Sequence, residues 1–250
     1  MNHSSTHSNR TGVILAAGFG SRLKGTVSST DLKPLTPVAG QPLIYRTIES
    51  LGKAGCTRVI IVLGFAFDEI KKDIVSTYSG DIEVEFVKND KYDLGNGISV
   101  LAAKDKLPKD GDFILTMADH ILSDGMMKIA ANHTPPDQGA SLLVDYKIDT
   151  ILDMDDATKV LEEDGKIKQI DKQLTDFNCI DTGVFVCTKA LLDAIQETFN
   201  KKGDASLSDG VKQLADRGKM TVVDIKEHFW QDVDTPEMLE YAEEYLQKEG

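Results

Sequence analysis

The sequence is short of cysteine. Its three cysteines, Cys56, Cys179 and Cys187, are odd in number and show neither a CxxC pair nor the spacing of metal ligands. Because free cysteine is among the residue types most often buried, we expect three reduced thiols in the core and no cysteine-based metal site.

Long apolar runs are also missing. No stretch approaches the 18 or so consecutive apolar residues of a membrane-spanning helix. The first ten residues, MNHSSTHSNR, are polar where a signal peptide needs an apolar segment. We therefore expect a cytoplasmic protein without membrane insertion, with a disordered polar tail at residues 1–11.

Basic residues are outnumbered, with 28 lysines and arginines against 41 aspartates and glutamates and a formal net charge of −13. Such a chain repels nucleic acid and anionic membranes in bulk. It can still bind phosphates where cations are local or metal ions intervene. At 250 residues and 41% hydrophobic, the chain can bury one substantial core, and we expect a single domain at residues 12–250.

The most informative stretch runs from Val13 to Pro34. An apolar run at residues 13–16 predicts a buried strand that opens onto small residues and glycines at 17–21, followed by Arg22. Glycines let several backbone N–H groups converge on one ligand, and with Arg22 and Lys33 nearby such a loop suits polyphosphate. Taken alone, the same pattern also describes a plain strand-to-helix turn.

Two other phosphate-binding loops do not fit this stretch. The dinucleotide fingerprint requires a third glycine where Leu23 stands, and an acid after the second strand, where the sequence is Leu63-Gly64-Phe65. A P-loop fails as well, because no Gly-Lys-Ser/Thr ends the turn.

The rest of the chain alternates between helix and strand patterns. Ile44, Ile48 and Leu51 form a helical stripe, and the β-branched run at 59–63 predicts a strand that helices cover on both faces. This is a βαβ unit and predicts a parallel sheet. From about Gly139 the turns become tighter, with a hairpin across Asp164-Gly165, which predicts a smaller β-rich lobe lying over that sheet.

Carboxylates at strand ends are the best candidates for a metal. Asp119 follows the buried strand predicted at 113–117, and Asp232 and Asp234 lie two residues apart near the C-terminus. Mg²⁺ prefers oxygen ligands, usually one or two carboxylates plus substrate phosphate oxygens. Each of these aspartates also has a plain interpretation as a turn or cap residue. Among the hairpin lysines, Lys172 is best placed to meet a substrate phosphate.

Five motifs carry a resemblance to a known family: LAAGFGSRL with Lys33-Pro34, LGNG at 94–97, MADH at 117–120, DTGVF at 181–185 and WQDVDTPE at 230–237. From Thr11 onward the chain resembles the nucleotidyltransferase family that includes the sugar-1-phosphate nucleotidyltransferases. The combination looks most like the cytidylyltransferases that act on inositol 1-phosphate. The resemblance implies a Rossmann-like three-layer α/β/α fold with a mixed, mostly parallel sheet. It also implies a nucleotide-binding half at about 12–138 and an acceptor-binding half at about 139–250.

The resemblance also implies site residues. The nucleotide would be bound by Leu15, Ala16, Ala17, Gly18, Gly20, Ser21, Arg22, Lys33, Asn96 and Gly97. The acceptor would be bound by Lys172, Asp181, Thr182 and Gly183. The metal would be held by Asp119 and Asp232, with Asp234 as the alternative. The groups expected to act in catalysis are Arg22, Lys33, Asp119 and Lys172. The sequence departs from the pattern at Gln173, where many relatives have proline after the acceptor lysine.

The reaction that the resemblance implies is transfer of CMP from CTP to inositol 1-phosphate with Mg²⁺, giving CDP-inositol and pyrophosphate. Such enzymes are often fused to a membrane-embedded CDP-alcohol transferase, so we expect a separate protein of that kind to take up the product. A sugar 1-phosphate, phosphocholine or an aminophosphonate remains open as acceptor, as does a nucleotide-binding module without turnover. The apolar side of the last helix leaves a homodimer open.

Overall fold

The computed structural model describes residues 10–19 and 32–249. Its strands are β1 Arg10–Ala16, β2 Pro37–Val38, β3 Gln41–Pro42, β4 Cys56–Leu63, β5 Glu83–Lys88, β6 Phe113–Met117, β7 His120–Leu122, β8 Ala140–Asp145, β9 Lys159–Glu163, β10 Lys166–Asp171, β11 Cys179–Cys187, β12 Met220–Asp224 and β13 Trp230–Asp232. Its helices are α1 Leu43–Lys53, α2 Phe67–Thr77, α3 Gly97–Ala102, α4 Asp124–Asn132, α5 Ala190–Lys202, α6 Leu207–Asp216 and α7 Pro236–Glu249.

Nine of these strands form one mixed sheet in the order β5-β4-β1-β6-β11-β8-β12-β10-β9. The four strands β5, β4, β1 and β6 are parallel to one another. Beyond them β11 runs antiparallel to both β6 and β8, whereas β12 is parallel to β8. The chain therefore begins as a parallel α/β sheet and continues as a mixed one.

Helices cover both faces of this sheet. Along β1 the side chains alternate, so Val13 and Leu15 join one core and Ile14 and Ala16 join the other. The first core packs against α3, α5 and α6, and the second against α1, α2 and α4. The predicted three-layer α/β/α architecture with a mixed sheet is confirmed.

The predicted hairpin is present: β9 and β10 pair across Asp164 and Gly165, both of which have positive φ. One detail differs from the expectation. The strands of the second half do not lie over the parallel sheet, because β11 joins β6 edge to edge and extends the same sheet. Strand β1 also starts at Arg10, so the predicted tail at 1–11 includes two strand residues. Residues 1–9, and with them the rest of that prediction, lie outside the described residues.

A separate two-stranded ribbon positions the C-terminal motif. Strand β13 pairs antiparallel with β7, and Asp232 lies opposite His120. The backbone N–H of Val233 donates to the carbonyl oxygen of Asp119 at 2.8 Å. Helix α7 then packs through Leu239 against Val38 and Ile121. The ribbon thus brings two distant segments to the end of β6. None of the described helices is both long and apolar enough to span a bilayer.

Candidate active site

A cavity of about 620 Å³ lies beyond the carboxyl ends of β1, β6 and β8. In open α/β sheets this edge is the usual place for a ligand. The cavity brings together ten residues that the sequence singled out. They are Leu15, Ala17, Gly18, Asn96, Asp119, Lys172, Asp181, Gly183, Asp232 and Asp234.

The glycine end of β1 forms one wall. Leu15, Ala17 and Gly18 line the cavity, whereas Ala16 is buried in the core on the opposite face of the sheet. A β-carbon added at Gly18 would meet no atom within 4 Å among the described residues, so the space beside it is open. Three predicted nucleotide-binding residues, Gly20, Ser21 and Arg22, lie outside the described residues.

Asn96 and Gly97 connect this wall to α6. Asn96 Oδ1 accepts a hydrogen bond from the backbone N–H of Leu207, the first residue of that helix, at 2.8 Å. A β-carbon at Gly97 would come within 2.7 Å of the Ala205 carbonyl oxygen. Gly97 is therefore required for close packing and does not line the cavity, whereas Asn96 does.

Lys33 lies between two of the predicted metal carboxylates. Its Nζ atom is 2.5 Å from Asp119 Oδ2 and also donates to Asp234 Oδ1. Burial alone would lower the pKa of Lys33, but the two carboxylates outweigh it and raise the pKa. Burial alone would raise the pKa of Asp119, but Lys33 and His120 hold it well below its ordinary value. At neutral pH Lys33 is therefore positively charged and Asp119 is negatively charged.

His120 and Asp232 complete this cluster. The Nδ1 atom of His120 is 2.7 Å from Asp119 Oδ1. Burial alone would lower the pKa of His120, but the hydrogen bond with Asp119 raises it. Burial and the neighbouring carboxylates of Asp234 and Asp119 raise the pKa of Asp232. Within the residues that the structure describes, Asp232 forms no ion pair, and Gln231 Nε2 donates to its Oδ1 at 2.9 Å.

The carboxylates fit a magnesium ion in part. Asp119 and Asp234 share the ammonium group of Lys33, and Asp232 lies near enough for their charges to raise its pKa. A divalent cation would offset the excess negative charge of the three aspartates. No three histidine, cysteine or acidic side chains of the described residues are arranged to hold a metal by themselves. Mg²⁺ needs only one or two protein carboxylates when phosphate oxygens supply the rest. Asp119 and Asp232 meet that requirement.

The opposite wall comes from the second half of the chain. Asp181 and Gly183 on β11 line the cavity, but Thr182 faces the other way and donates to the Leu143 carbonyl oxygen at 2.7 Å. Gly183 has a φ of +74°, and a β-carbon there would lie 2.6 Å from His120 Nε2. Burial raises the pKa of Asp181 to about 6. Lys172 Nζ lines the cavity and donates to Asp156 Oδ1 at 2.6 Å.

Sequence reasoning missed three polar residues of this cavity. Asp145, Lys147 and Trp230 line it and are joined by hydrogen bonds, since Asp145 Oδ2 accepts from Trp230 Nε1 at 2.9 Å and its Oδ1 from Lys147 Nζ at 2.8 Å. Asp145 ends a buried strand, which is the signal that identified Asp119. Trp230 stands in a motif that was recognised for its aspartates alone.

Near the cavity, Lys159 at the start of β9 is buried. Its Nζ donates to three backbone carbonyl oxygens, of Met154, Ala157 and Lys172, at 2.6, 3.2 and 2.8 Å. Lys159 therefore connects the loop before β9 to the backbone of Lys172.

The wall of the cavity is strongly acidic. Among the described residues that line it, eight are acidic and two are lysines. The acidic residues are Asp119, Asp145, Asp153, Asp156, Asp181, Glu227, Asp232 and Asp234. A polyanionic ligand meets repulsion from such a wall unless cations accompany it.

The comparison with protein families identifies the chain. The model described as nucleotidyl transferase matches residues 11–249, and the chain belongs to that family. The resemblance seen in the motifs is thus confirmed, and with it the class of enzyme. The bifunctional IPC transferase and DIPP synthase of Aquifex aeolicus is 33% identical over 238 residues, which is 95% of this chain and 52% of that protein. The chain spans about half the length of the curated relatives it matches most strongly.

Solved structures agree with the fold. The inositol-1-phosphate CTP transferase from T. maritima has a TM-score of 0.81 and 26% identity, with coverage of 95% of this chain and 97% of that one. A putative glucose-1-phosphate thymidylyltransferase from Bacillus anthracis has a TM-score of 0.80 at 21% identity, covering 95% and 94%. The second likeness supports the fold alone.

Proposed function

We propose that this chain transfers CMP from CTP to inositol 1-phosphate, giving CDP-inositol and pyrophosphate. The similarity to the T. maritima inositol-1-phosphate CTP transferase supports this choice because it extends over nearly the full length of both chains. The observation that carries the proposal is the single cavity between the glycine end of β1 and the wall that contains Asp181 and Lys172. Two substrates that react with one another need such a shared space.

The nucleotide would bind along the first wall. Backbone groups from Leu15 to Ser21 would read the base and approach the phosphates, and Asn96 and Gly97 would lie near the base or ribose. Arg22 and Lys33 would neutralise the triphosphate. The acidic lining of the cavity makes these cations necessary, since it repels the phosphates.

The chemistry needs no protein nucleophile. A phosphate oxygen of the acceptor would attack the α-phosphorus of CTP in line, forming the new P–O bond as the bond to the β-phosphate oxygen breaks. Pyrophosphate leaves with the electron pair of that bond. Positioning and charge neutralisation supply the catalysis in such a transfer.

Asp119 and Asp232 would hold Mg²⁺, with Asp234 as the alternative to Asp232. The ion, when bound, would neutralise negative charge on the phosphates. Lys33 would keep Asp119 ionised through the contact at 2.5 Å, and His120 would fix the orientation of its carboxylate from the other oxygen. The ribbon β7–β13 holds the segments of Asp119 and Asp232 together, and Lys33 is joined to them through its ion pairs with Asp119 and Asp234.

The acceptor would occupy the second wall. Lys172 would bind its phosphate, and Asp181, Thr182 and Gly183 would form its hydroxyl-binding side, with Thr182 acting through the backbone because its side chain faces Leu143. In the cell the product would pass to a membrane-embedded CDP-alcohol transferase, and the enzyme would act in the cytoplasm.

Pyrophosphate release tests the proposal. We expect turnover with CTP and inositol 1-phosphate to exceed that of CTP, UTP, dTTP, ATP or GTP combined with glucose 1-phosphate, phosphocholine or 2-aminoethylphosphonate. A faster rate with another pair would assign a different substrate within the same class. No release with any pair, in the presence of Mg²⁺, would instead favour a nucleotide-binding module without turnover.

An Asp119→Asn variant tests the site itself. We expect kcat/KM to fall about 100-fold or more, because the substitution removes charge where the transition state needs it. The matched control is Asp124→Asn, whose carboxylate is exposed, pairs with Lys53 at 3.1 Å and lies outside the cavity. Near-normal turnover in Asp119→Asn would contradict the assignment.

A further inference from the structure

We propose that Asp145 is a positioning residue, which holds Trp230 in the cavity wall and through it orients His120 and the Asp119 carboxylate. The inference rests on the proposed function, because it assigns Asp145 a part in a reaction that depends on Asp119. It adds a residue that touches neither substrate in the proposed mechanism.

Asp145 is a buried carboxylate with a partner for each oxygen. The residue is 2% exposed and ends β8. Its Oδ1 accepts from the backbone N–H and the Nζ of Lys147, both at 2.8 Å, and its Oδ2 accepts from Trp230 Nε1 at 2.9 Å. A buried charge is costly unless it is paired and hydrogen-bonded. These three donors therefore fix the carboxylate and, through it, the direction of the indole.

Trp230 in turn contacts His120. In the ribbon Trp230 lies opposite Leu122, so His120 is its diagonal neighbour on the same face. The two rings are stacked, with centroids 5.9 Å apart and planes inclined by 17°. His120 Nδ1 is 2.7 Å from Asp119 Oδ1. A continuous series of contacts therefore leads from Asp145 to Asp119.

The series joins two separate sheets. Asp145 belongs to the nine-stranded sheet, whereas Trp230 and His120 belong to the ribbon. Lys147 Nζ adds a second connection, donating to the carbonyl oxygens of Lys226 at 2.6 Å and His228 at 3.3 Å. The direction of the two rings thus depends on side chains at the end of β8.

The ribbon backbone has independent support. Ala118 N–H donates to the Leu15 carbonyl oxygen at 3.1 Å, and Ser123 N–H donates to that of Phe229 at 3.1 Å. Loss of the Asp145 side chain should therefore leave the ribbon in place and loosen only the rings. A variant of Asp145 can therefore test the orientation of the two rings without unfolding the ribbon.

The chain offers a matched control at the end of the neighbouring strand. Asp224 ends β12 and accepts from the backbone N–H of Lys226 at 2.7 Å and from its Nζ at 2.9 Å. This is the same Asp-x-Lys arrangement as Asp145 and Lys147. Asp224 does not line the cavity, and both of its carboxylate oxygens accept from Lys226, whereas Trp230 donates to Asp145.

Fluorescence gives a readout that does not depend on turnover. Trp230 is the only tryptophan of the chain, so the emission reports that one side chain. We expect Asp145→Leu to shift the emission to longer wavelength and to raise quenching by acrylamide, while Asp224→Leu leaves both unchanged. An unchanged emission in Asp145→Leu would overturn the proposal.

Kinetics give the second readout. We expect Asp145→Leu, which removes the acceptor for Trp230 Nε1, to lower kcat roughly 10- to 100-fold, as for residues that orient metal-binding side chains. The KM for the acceptor should change less than about twofold, because Asp145 acts through Asp119. Asp224→Leu should behave as wild type. A raised acceptor KM with an unchanged kcat would overturn the proposal and make Asp145 an acceptor contact.

Trp230→Phe tests the connection itself. The variant keeps a ring against His120 but loses the N–H from which Asp145 accepts, and we expect the same fall in kcat as in Asp145→Leu. The double variant should lose no more than either single one, because both remove one interaction. Additive losses would overturn the proposal. If the wild type turns over no substrate pair, the proposed function fails, and the fluorescence still decides whether Asp145 holds Trp230.

Discussion

The Nζ atom of Lys33 lies 2.5 Å from Oδ2 of Asp119, although 86 residues separate them in the chain. The same ammonium group also binds Asp234, 201 residues away. Both side chains of the Lys33–Asp234 pair are nearly buried, and that of Asp119 is 30% exposed. One lysine therefore stabilises two carboxylates that arrive from different strands.

Replacing Lys33 with methionine should destabilise the fold in a pH-dependent way. The pKa of Asp119 is held below its ordinary value, so its pairing stabilises the protein above pH 4 and is lost as pH falls. We expect a loss of about 2 kcal/mol at pH 7, less than for a fully buried pair because Asp119 is partly exposed. Urea unfolding at pH 7 and at about pH 2.5, below the ordinary pKa of the carboxyl, measures it. An equal loss at both pH values would contradict this account.

Lys172→Met should weaken binding of the acceptor and spare CTP. The ammonium group lines the second wall, and its loss removes a cation from a lining that is already acidic. We expect the acceptor KM to rise by about tenfold or more, with the KM for CTP unchanged, in initial-rate measurements. Lys168→Met on β10 is the control, because that side chain pairs with Glu163 on the outer surface of the hairpin. An unchanged acceptor KM would count against the role of Lys172.

The sequence predicted most of the strands and helices because their apolar patterns are local. It also predicted Asp119 at the carboxyl end of β6, where ligands of open α/β sheets bind, whereas Asp181 came from the family resemblance and lies near the start of the antiparallel strand β11. Applied strictly, the two-residue period of a strand would have removed Ala16 and the Thr182 side chain from the predicted lining. Leu15 and Ala17 face the cavity, so Ala16 faces away.

Other features of the site were beyond a local pattern. The pairing of Lys33 with Asp234, and of Asp145 with Trp230, joins residues that are 201 and 85 positions apart. Nothing near Lys33 in the sequence indicates which acid it meets. Trp230 lies in the ribbon β7–β13 and Asp234 follows it, and each strand of this ribbon has three residues, too few for a periodic signal in the sequence.

Two glycines of the first wall should respond differently to alanine. A β-carbon at Gly18 meets no described atom within 4 Å, whereas one at Gly97 lies 2.7 Å from the Ala205 carbonyl oxygen. We expect Gly97→Ala to lower the thermal midpoint by several degrees, as overpacking of about 1–3 kcal/mol does. Gly18→Ala should keep the midpoint of wild type and raise the KM for CTP. A stable Gly18→Ala enzyme with normal KM would mean that the glycine is not needed for a close ligand.

The last prediction concerns Asp181, whose carboxylate accepts a hydrogen bond from the Gly183 N–H at 2.7 Å. Burial raises its pKa from 3.8 to about 6. A carboxyl with a raised pKa stabilises the fold fully below pH 3.8, and this contribution is lost as pH rises through 6. At neutral pH the folded protein therefore carries a destabilising charge, worth up to about 3 kcal/mol from the size of the shift.

Asp181→Asn should remove that charge and keep the hydrogen bond, since the amide oxygen still accepts from Gly183. We expect the variant to gain stability over wild type as pH rises from 4.5 to 7.5, measured as the difference in urea midpoint. Asp171→Asn is the control: Lys212 lowers the pKa of that exposed carboxyl, so it is ionised in both the folded and the unfolded state across this range, and its stability difference should not change with pH. A stability difference for Asp181→Asn that is constant with pH would show that Asp181 does not titrate in this range. Asp181 faces the proposed acceptor, so we expect the stabilised variant to bind the acceptor less tightly. The charge of Asp181 would then destabilise the fold but contribute to acceptor binding.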